Sequence, residues 1–367
     1  MFSLIVGLVV AVVLLVVNIV LSKIPFVPKE LRILTVISIM VGYVYWGFEP
    51  FAHHEMHPPV AAAEYKFDGS NDVAALEAQA KEIEAKGGDR SALDAEIAQT
   101  KEFWANVVSI AKLDGNVEAG AELVAANCTA CHSIESAGFP QLMEDADAAA
   151  AYGVTPPDLS LAGRIYDKNY MAAFILNPVK AMHIEHKYPA TGTKVFPMPG
   201  SDWMSNQEIA DMVAYLEDVA SQVDAPAVAD GASDFEIAKA KNKEVFEAAC
   251  VRCHAMDYAG IEAKTPVDVM KEYIGATPPD LSQHIRSRGA EYLHNFINDP
   301  QRKLPGTGMP RVGLTLEAEK QVVEYMEQIG DSKKQEREAL GPIVLIYLTI
   351  LAVFALLWKK QIWKKLH

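Results

Sequence analysis

Four cysteines in 367 residues are too few and too clustered to staple a chain of this length. Cys128 and Cys131 share one short window, and Cys250 and Cys253 share another. A disulfide inside either Cys-x-x-Cys would close a tiny loop and add little stability. A disulfide framework is therefore a poor reading of these spacings. Basic charge is also short: 33 Lys and Arg against 48 Asp and Glu leave a net charge of −15. The deficit lies between about residues 49 and 339, because Lys23, Lys29, Arg32, Lys359, Lys360, Lys364 and Lys365 all flank apolar stretches. A surface that acidic repels nucleic acid and can steer basic partners toward it. The sequence also lacks a phosphate-binding glycine loop, a nucleophile–base constellation and any open metal position that would suggest hydrolysis.

Long apolar runs, by contrast, are present, at 2–21, 33–48 and 340–358. The first and third are long enough to cross a hydrocarbon core. The second is short, but ends in Tyr43, Tyr45 and Trp46, which suit the interface. Lys23, Lys29 and Arg32 separate the first two runs, and four lysines follow the third. If both basic clusters are cytoplasmic, everything from 49 to 339 lies on the other side of the membrane. A cleaved signal peptide is the alternative for the N-terminus, since "VAAAEY" at 60–65 offers small residues. Against it, the first run lacks a basic leader. Either way the polar region is exported.

The cysteine windows read "NCTACHSIES" at 127–136 and "ACVRCHAMDY" at 249–258, and each contains Cys-x-x-Cys-His. Besides disulfides, two chemistries use such thiols. Zinc could take all four as thiolates, provided the windows meet across 122 residues. Alternatively, each thiol pair adds to the two vinyl groups of a porphyrin, and His132 or His254 takes the iron. A helical turn puts i, i+3 and i+4 on one face, as this attachment requires. It also gives the histidine a role that a disulfide does not. Two covalently bound haems c are the favoured expectation, with zinc and disulfides as the alternatives.

The windows belong to a longer repeat. Shifted by 122, the chain aligns with itself without gaps for about fifty residues. "TPPDLS" at 155–160 falls on "TPPDLS" at 277–282, Arg164 on Arg286, Tyr170 on Tyr292, Phe174 on Phe296 and Pro178 on Pro300. Beyond these prolines the first copy takes 11 more residues than the second to reach its methionine, Met198 in "FPMPG" against Met309 in "GTGMPR". Each copy closes with an amphipathic stretch behind a Ser or Thr cap, at 205–219 and 315–329.

Each unit resembles a class I cytochrome c domain over about 116–220 and 238–330. That family has an N-terminal helix, Cys-x-x-Cys-His, a loop, a methionine on a later loop and a C-terminal helix crossing the first. One departure stands out. The family usually places an aromatic four residues before the first cysteine; Phe246 complies, but Val124 does not. The resemblance implies His132 and His254 as proximal ligands, and Met198 and Met309 as distal ones. A thioether favours ferrous iron and raises the reduction potential. Met182, His183, His186 and Met204 are competitors near Met198. The resemblance further implies that a proline carbonyl of "TPPDLS" orients each histidine, with Pro156 or Pro157 and Pro278 or Pro279 as candidates. For Arg164 and Arg286 two readings stand level: pairing with haem propionates, or solvated surface arginines.

The expected fold is mainly α: two tandem class I cytochrome c domains with N-terminal and C-terminal transmembrane helices. The expected divisions are 1–48, two transmembrane helices; 49–115, an interfacial segment and a helical hairpin broken at Gly87-Gly88; 116–222, the first domain; 223–237, a linker; 238–330, the second domain; and 331–367, a C-terminal anchor. His53, His54 and His57 read as part of a docking segment rather than a metal site. Two six-coordinate haems leave no open iron, so electron transfer is the expected chemistry.

"GATPPDLSQHIRSRGAEYLHNFINDP" at 275–300 and the tail from "ALGPIVLIYL" to "WKKQIWKKLH" resemble the cytochrome c1 family of quinol–cytochrome c reductase, the bc1 complex. That resemblance implies a bacterial inner-membrane location with haem domains in the periplasm. Its partners would be membrane lipid, cytochrome b, a Rieske iron–sulfur protein and, as acceptor, a soluble cytochrome c or terminal oxidase. The alternative is the di-haem subunit of a cbb3-type oxidase, which generally lacks a C-terminal span. A di-haem peroxidase, or a haem-bearing scaffold with no redox role, are further classes.

Overall fold

A computed structural model describes residues 28–44, 65–189 and 191–366, together with Val16, Ile19, Val20 and Lys23. The first expected span falls almost wholly outside the described residues, as do Tyr45, Trp46 and the histidines at 53, 54 and 57. The chain divides into two compact units, Met1–Ala61 and Ala62–His367. In the first, the described helix is α1, Lys29–Tyr43, which begins behind Pro28. Proline's fixed φ suits the entry to a helix.

The second unit opens on a hairpin, α2 (Ser70–Ala85) and α3 (Ser91–Ala111). It turns at Gly87, where φ is +73°, a backbone conformation that favours glycine. One face of α3 carries Trp104, Val107 and Ile110 into the core that follows. The hairpin therefore packs on the first repeat.

The two repeats then fold alike. The first contains α4 (Val117–Asn127), α5 (Asp145–Tyr152), α6 (Lys168–Leu176) and α7 (Asn206–Ser221). The second contains α8 (Asp234–Cys250), α9 (Val267–Ile274), α10 (Ala290–Asn298) and α11 (Leu316–Gly330). The last helix of each repeat packs on its first, α7 on α4 and α11 on α8. Ser205 and Glu208 form a reciprocal capping box on α7, and Thr315 caps α11 through Ala318 N. On α7, Ile209, Met212, Val213, Leu216 and Val219 are buried at helical spacing. Each such side chain stabilises by roughly 1.5–3 kcal/mol.

The departure at Val124 is absorbed by the packing. Val124 and Phe246 are both fully buried at equivalent places, and Phe246 packs on Tyr325 with ring centroids 5.1 Å apart. In the first repeat a Cβ at Gly120 would lie 2.0 Å from Asp211 O. The α7 backbone therefore comes down directly on Gly120. The second repeat carries Asn242 there, which reaches Glu324 at 3.2 Å. A small Gly/Val pair and a large Asn/Phe pair thus serve the same crossing.

The helix α8 starts at Asp234, behind a Ser233–Glu236 capping box, inside the stretch read from the sequence as linker. The chain ends in α12 (Lys334–Leu366), which buries none of its residues. Its mean hydropathy reaches 2.6 over the most apolar window. At about 1.5 Å per residue it is longer than the hydrocarbon core is thick. Among the described residues there is no strand, only three isolated bridges.

Candidate functional site

The site is built twice from the same local bonds. Beyond α4, the amides of Cys131 and His132 donate to Cys128 O at 3.1 and 2.9 Å. Beyond α8, those of Cys253 and His254 donate to Cys250 O at the same distances. Each Cys-x-x-Cys-His is therefore one helical turn, with both sulfurs and the imidazole on one side.

His132 Nδ1 lies 2.9 Å from Pro157 O, and His254 Nδ1 lies 2.8 Å from Pro279 O. A carbonyl can only accept, so Nδ1 carries the proton and Nε2 keeps its lone pair for a metal. Of the four candidate prolines, these two make the contact. Burial lowers both histidines' pKa, partly opposed by the proline bonds. Burial also pushes the thiols up, Cys128 to about 11 and Cys250 to about 12, so both are protonated at neutral pH.

The rest of "TPPDLS" ties the proline loop to the histidine turn. Leu159 N donates to Ser133 O, and Leu281 N to Ala255 O. Asp158 accepts from Glu135 N at 3.0 Å, and Asp280 from Asp257 N at 2.8 Å. Ser160 and Ser282 accept from Ser136 N and Tyr258 N. Burial would raise the Asp158 carboxyl, but bonds from Ser160, Glu135 and Ser133 outweigh it and hold it below the usual range. Sequence reasoning passed over Asp158, Ser160, Asp280 and Ser282; the verbatim recurrence of the hexapeptide was the signal available.

Met198 and Met309 are half-buried on the loops before α7 and α11. The backbone of Met309 is held by Gln301 Nε2 at 3.2 Å and Thr307 Oγ1 at 3.3 Å. The competitors have other work. Met204 lies in the first repeat's core. Met182 packs with Ile184 and Tyr188. His183 contacts Asp72 and Arg311, and His186 Nε2 lies 3.2 Å from Thr307 O. Arg164 pairs with Glu244 of α8, and Arg286 lies 4.0 Å from Asp331, so each already has a carboxylate of this chain beside it.

The four cysteines are free. Among the described residues, no three His, Cys, Asp or Glu side chains gather to hold a metal ion. The donors suit haem c: two thiols on one turn, an oriented imidazole with a free nitrogen and, in each repeat, a soft thioether on a later loop.

A family profile decides the matter: that of cytochrome c matches residues 117–220 and 240–330, together more than half of the chain. The chain belongs to the cytochrome c family. Cytochrome c domains imply covalently attached haem c, and two domains imply two haems. No curated protein matches this chain. Among solved structures, it is similar to a chain of a hyperthermophilic respiratory Complex III, at 24% identity with a TM-score of 0.29. That match covers 35% of this chain and 77% of the other.

Proposed function

We propose that this cytochrome is a membrane-anchored di-haem electron carrier of a bacterial bc1-type complex. It would take electrons from a Rieske iron–sulfur protein, held beside cytochrome b, and pass them to a soluble cytochrome c or terminal oxidase. Haem c would supply one-electron chemistry by alternating between ferric and ferrous iron. The chain's own residues attach it through Cys128, Cys131, Cys250 and Cys253. His132 and His254 orient on Pro157 and Pro279. Met198 and Met309 would offer the thioethers that hold the iron and exclude other ligands. The single observation that carries the electron-transfer reading is the repeated Nδ1-to-carbonyl bond on a Cys-x-x-Cys-His turn, in two units of the cytochrome c family. The apolar helix α12 supports a membrane anchor, with the haem units in the periplasm and the flanking lysines in the cytoplasm.

Extraction in mild detergent followed by identification of co-isolating subunits tests the partners. A cytochrome b and a Rieske protein are expected. A copper–haem oxidase subunit in their place would replace this reading with the cbb3-type alternative, and an isolated chain would remove both.

A further inference from the structure

The second repeat's methionine loop is gripped by parts of the chain that the repeat does not share. Arg311, two residues beyond Met309, is buried, and its guanidinium makes a two-pronged pair with Asp72 of α2. The Nη2–Oδ1 distance is 2.7 Å and the Nη1–Oδ2 distance 3.1 Å. The same carboxylate accepts from Tyr65 Oη at 2.7 Å and from Trp104 Nε1 at 2.9 Å.

His183, in the insertion peculiar to the first repeat, completes the cluster. Its Nδ1 lies 3.0 Å from Arg311 Nη2, and its Nε2 lies 3.1 Å from Asp72 Oδ2. A guanidinium has no acceptor, so Nδ1 accepts and Nε2–H donates to the carboxylate. His183 is also the one non-glycine among the described residues with positive φ, at 57°. Such a conformation persists where surrounding contacts over-determine it, and here two ionic partners do so.

The backbone of the loop is held on the same side. Arg311 N donates to Met182 O at 3.0 Å, Tyr170 Oη to Arg311 O at 2.7 Å, and Asp167 N to Gly313 O at 2.9 Å. At Gly313 a Cβ would lie 2.0 Å from the Tyr170 ring, so the two meet face-on. The hairpin and the insertion, both extraneous to a repeat, therefore converge on the loop of the other repeat.

The geometry points to Asp72, Arg311 and His183 as a positioning clamp that holds Met309 at the sixth position of the second haem. It rests on the reading of Met309 as that ligand. The clamp touches no iron. It fixes the loop that presents the thioether, and couples that loop to the first repeat. Burying charge is tolerated only where pairing is complete, and this carboxylate is surrounded by donors. Loosening the loop would let the thioether leave, and with it the stabilisation of ferrous iron that raises the potential.

The test uses the full-length, haem-loaded protein in detergent. Two properties are read: the weak long-wavelength charge-transfer band of methionine-bound ferric haem, and the potential of each haem by redox titration. Met309→Ala should remove one of the two contributions to the band, which assigns it. Asp72→Asn should remove most of that same contribution and lower only the second haem's potential. The first haem's band and potential should stay at wild-type values. A merely structural pair would lower the thermal midpoint and leave the band whole. A full band and unchanged potentials in Asp72→Asn, with Met309→Ala still losing its share, would overturn the clamp. A full band in Met309→Ala would instead sink the ligand assignment, and the clamp with it. Should Asp72→Asn fail to accumulate, Tyr65→Phe carries the test, since it deletes only the hydroxyl bound to Asp72 and Arg311. A partial loss confined to the second haem supports the clamp, and no loss at either haem overturns it.

Discussion

At the scale of single residues, two of the ion pairs that join the repeats and the hairpin differ in worth. Arg164 pairs with Glu244 at the surface, with side chains 38% and 23% exposed. Such pairs contribute about 0–1 kcal/mol. Arg311 and Asp72 are 0% and 5% exposed, and removing one partner of a buried pair costs about 3–5 kcal/mol. Denaturant unfolding should therefore separate Glu244→Gln, nearly neutral, from Asp72→Asn, strongly destabilising. The same pair sets an acid limit. Burial would raise the Asp72 carboxyl, but the His183 bond and the Arg311 charge outweigh it and hold it well below the usual carboxylate range. A depressed folded pKa contributes stability that is fully present above the unfolded value, about 3.9. That stability is lost as pH falls from there toward the folded value. Thermal midpoints of the wild type should fall below about pH 4, and more steeply there than those of Asp72→Asn. A parallel decline in both proteins would remove Asp72 from the account.

At the scale of elements, the helix crossing of the first repeat leaves no room for a side chain at Gly120. Gly120→Ala would put a methyl 2.0 Å from Asp211 O, where the nearest atom is backbone and cannot swing aside. Overpacking of this kind costs about 1–3 kcal/mol or more. Unfolding measurements should show it, whereas Asn242→Ala at the equivalent place should cost less, because a side chain is already accommodated there. Ser205→Ala should cost about 1 kcal/mol by opening the α7 cap. Caps of this kind are what the sequence made legible: Ser205 and Thr315 announced their helices within a residue or two, and the glycine pair at 87 and 88 announced the hairpin turn. The histidine–proline contact was legible through the family resemblance, which left two prolines open in each copy; the fold selects Pro157 and Pro279. The carboxylates beside Arg164 and Arg286, Glu244 and Asp331, were not, since an arginine's protein partner is set by which helix packs beside it. The Asp72–Arg311 pair was invisible for the same reason: 239 residues separate its members, and no periodicity links them.

At the scale of the whole molecule, the duplication explains the fold, and its asymmetries explain how the copies are joined. The hairpin before the first repeat and the insertion inside it have no counterpart in the second. Both are spent on contacts that reach the second repeat's methionine loop. The account stands on each copy carrying its own covalently attached haem. Pyridine haemochrome analysis of the purified full-length chain, set against its protein content, measures that directly. Two haems per chain are predicted, falling to one when Cys128 and Cys131 are both replaced by alanine; one haem or none in the wild type would contradict the account.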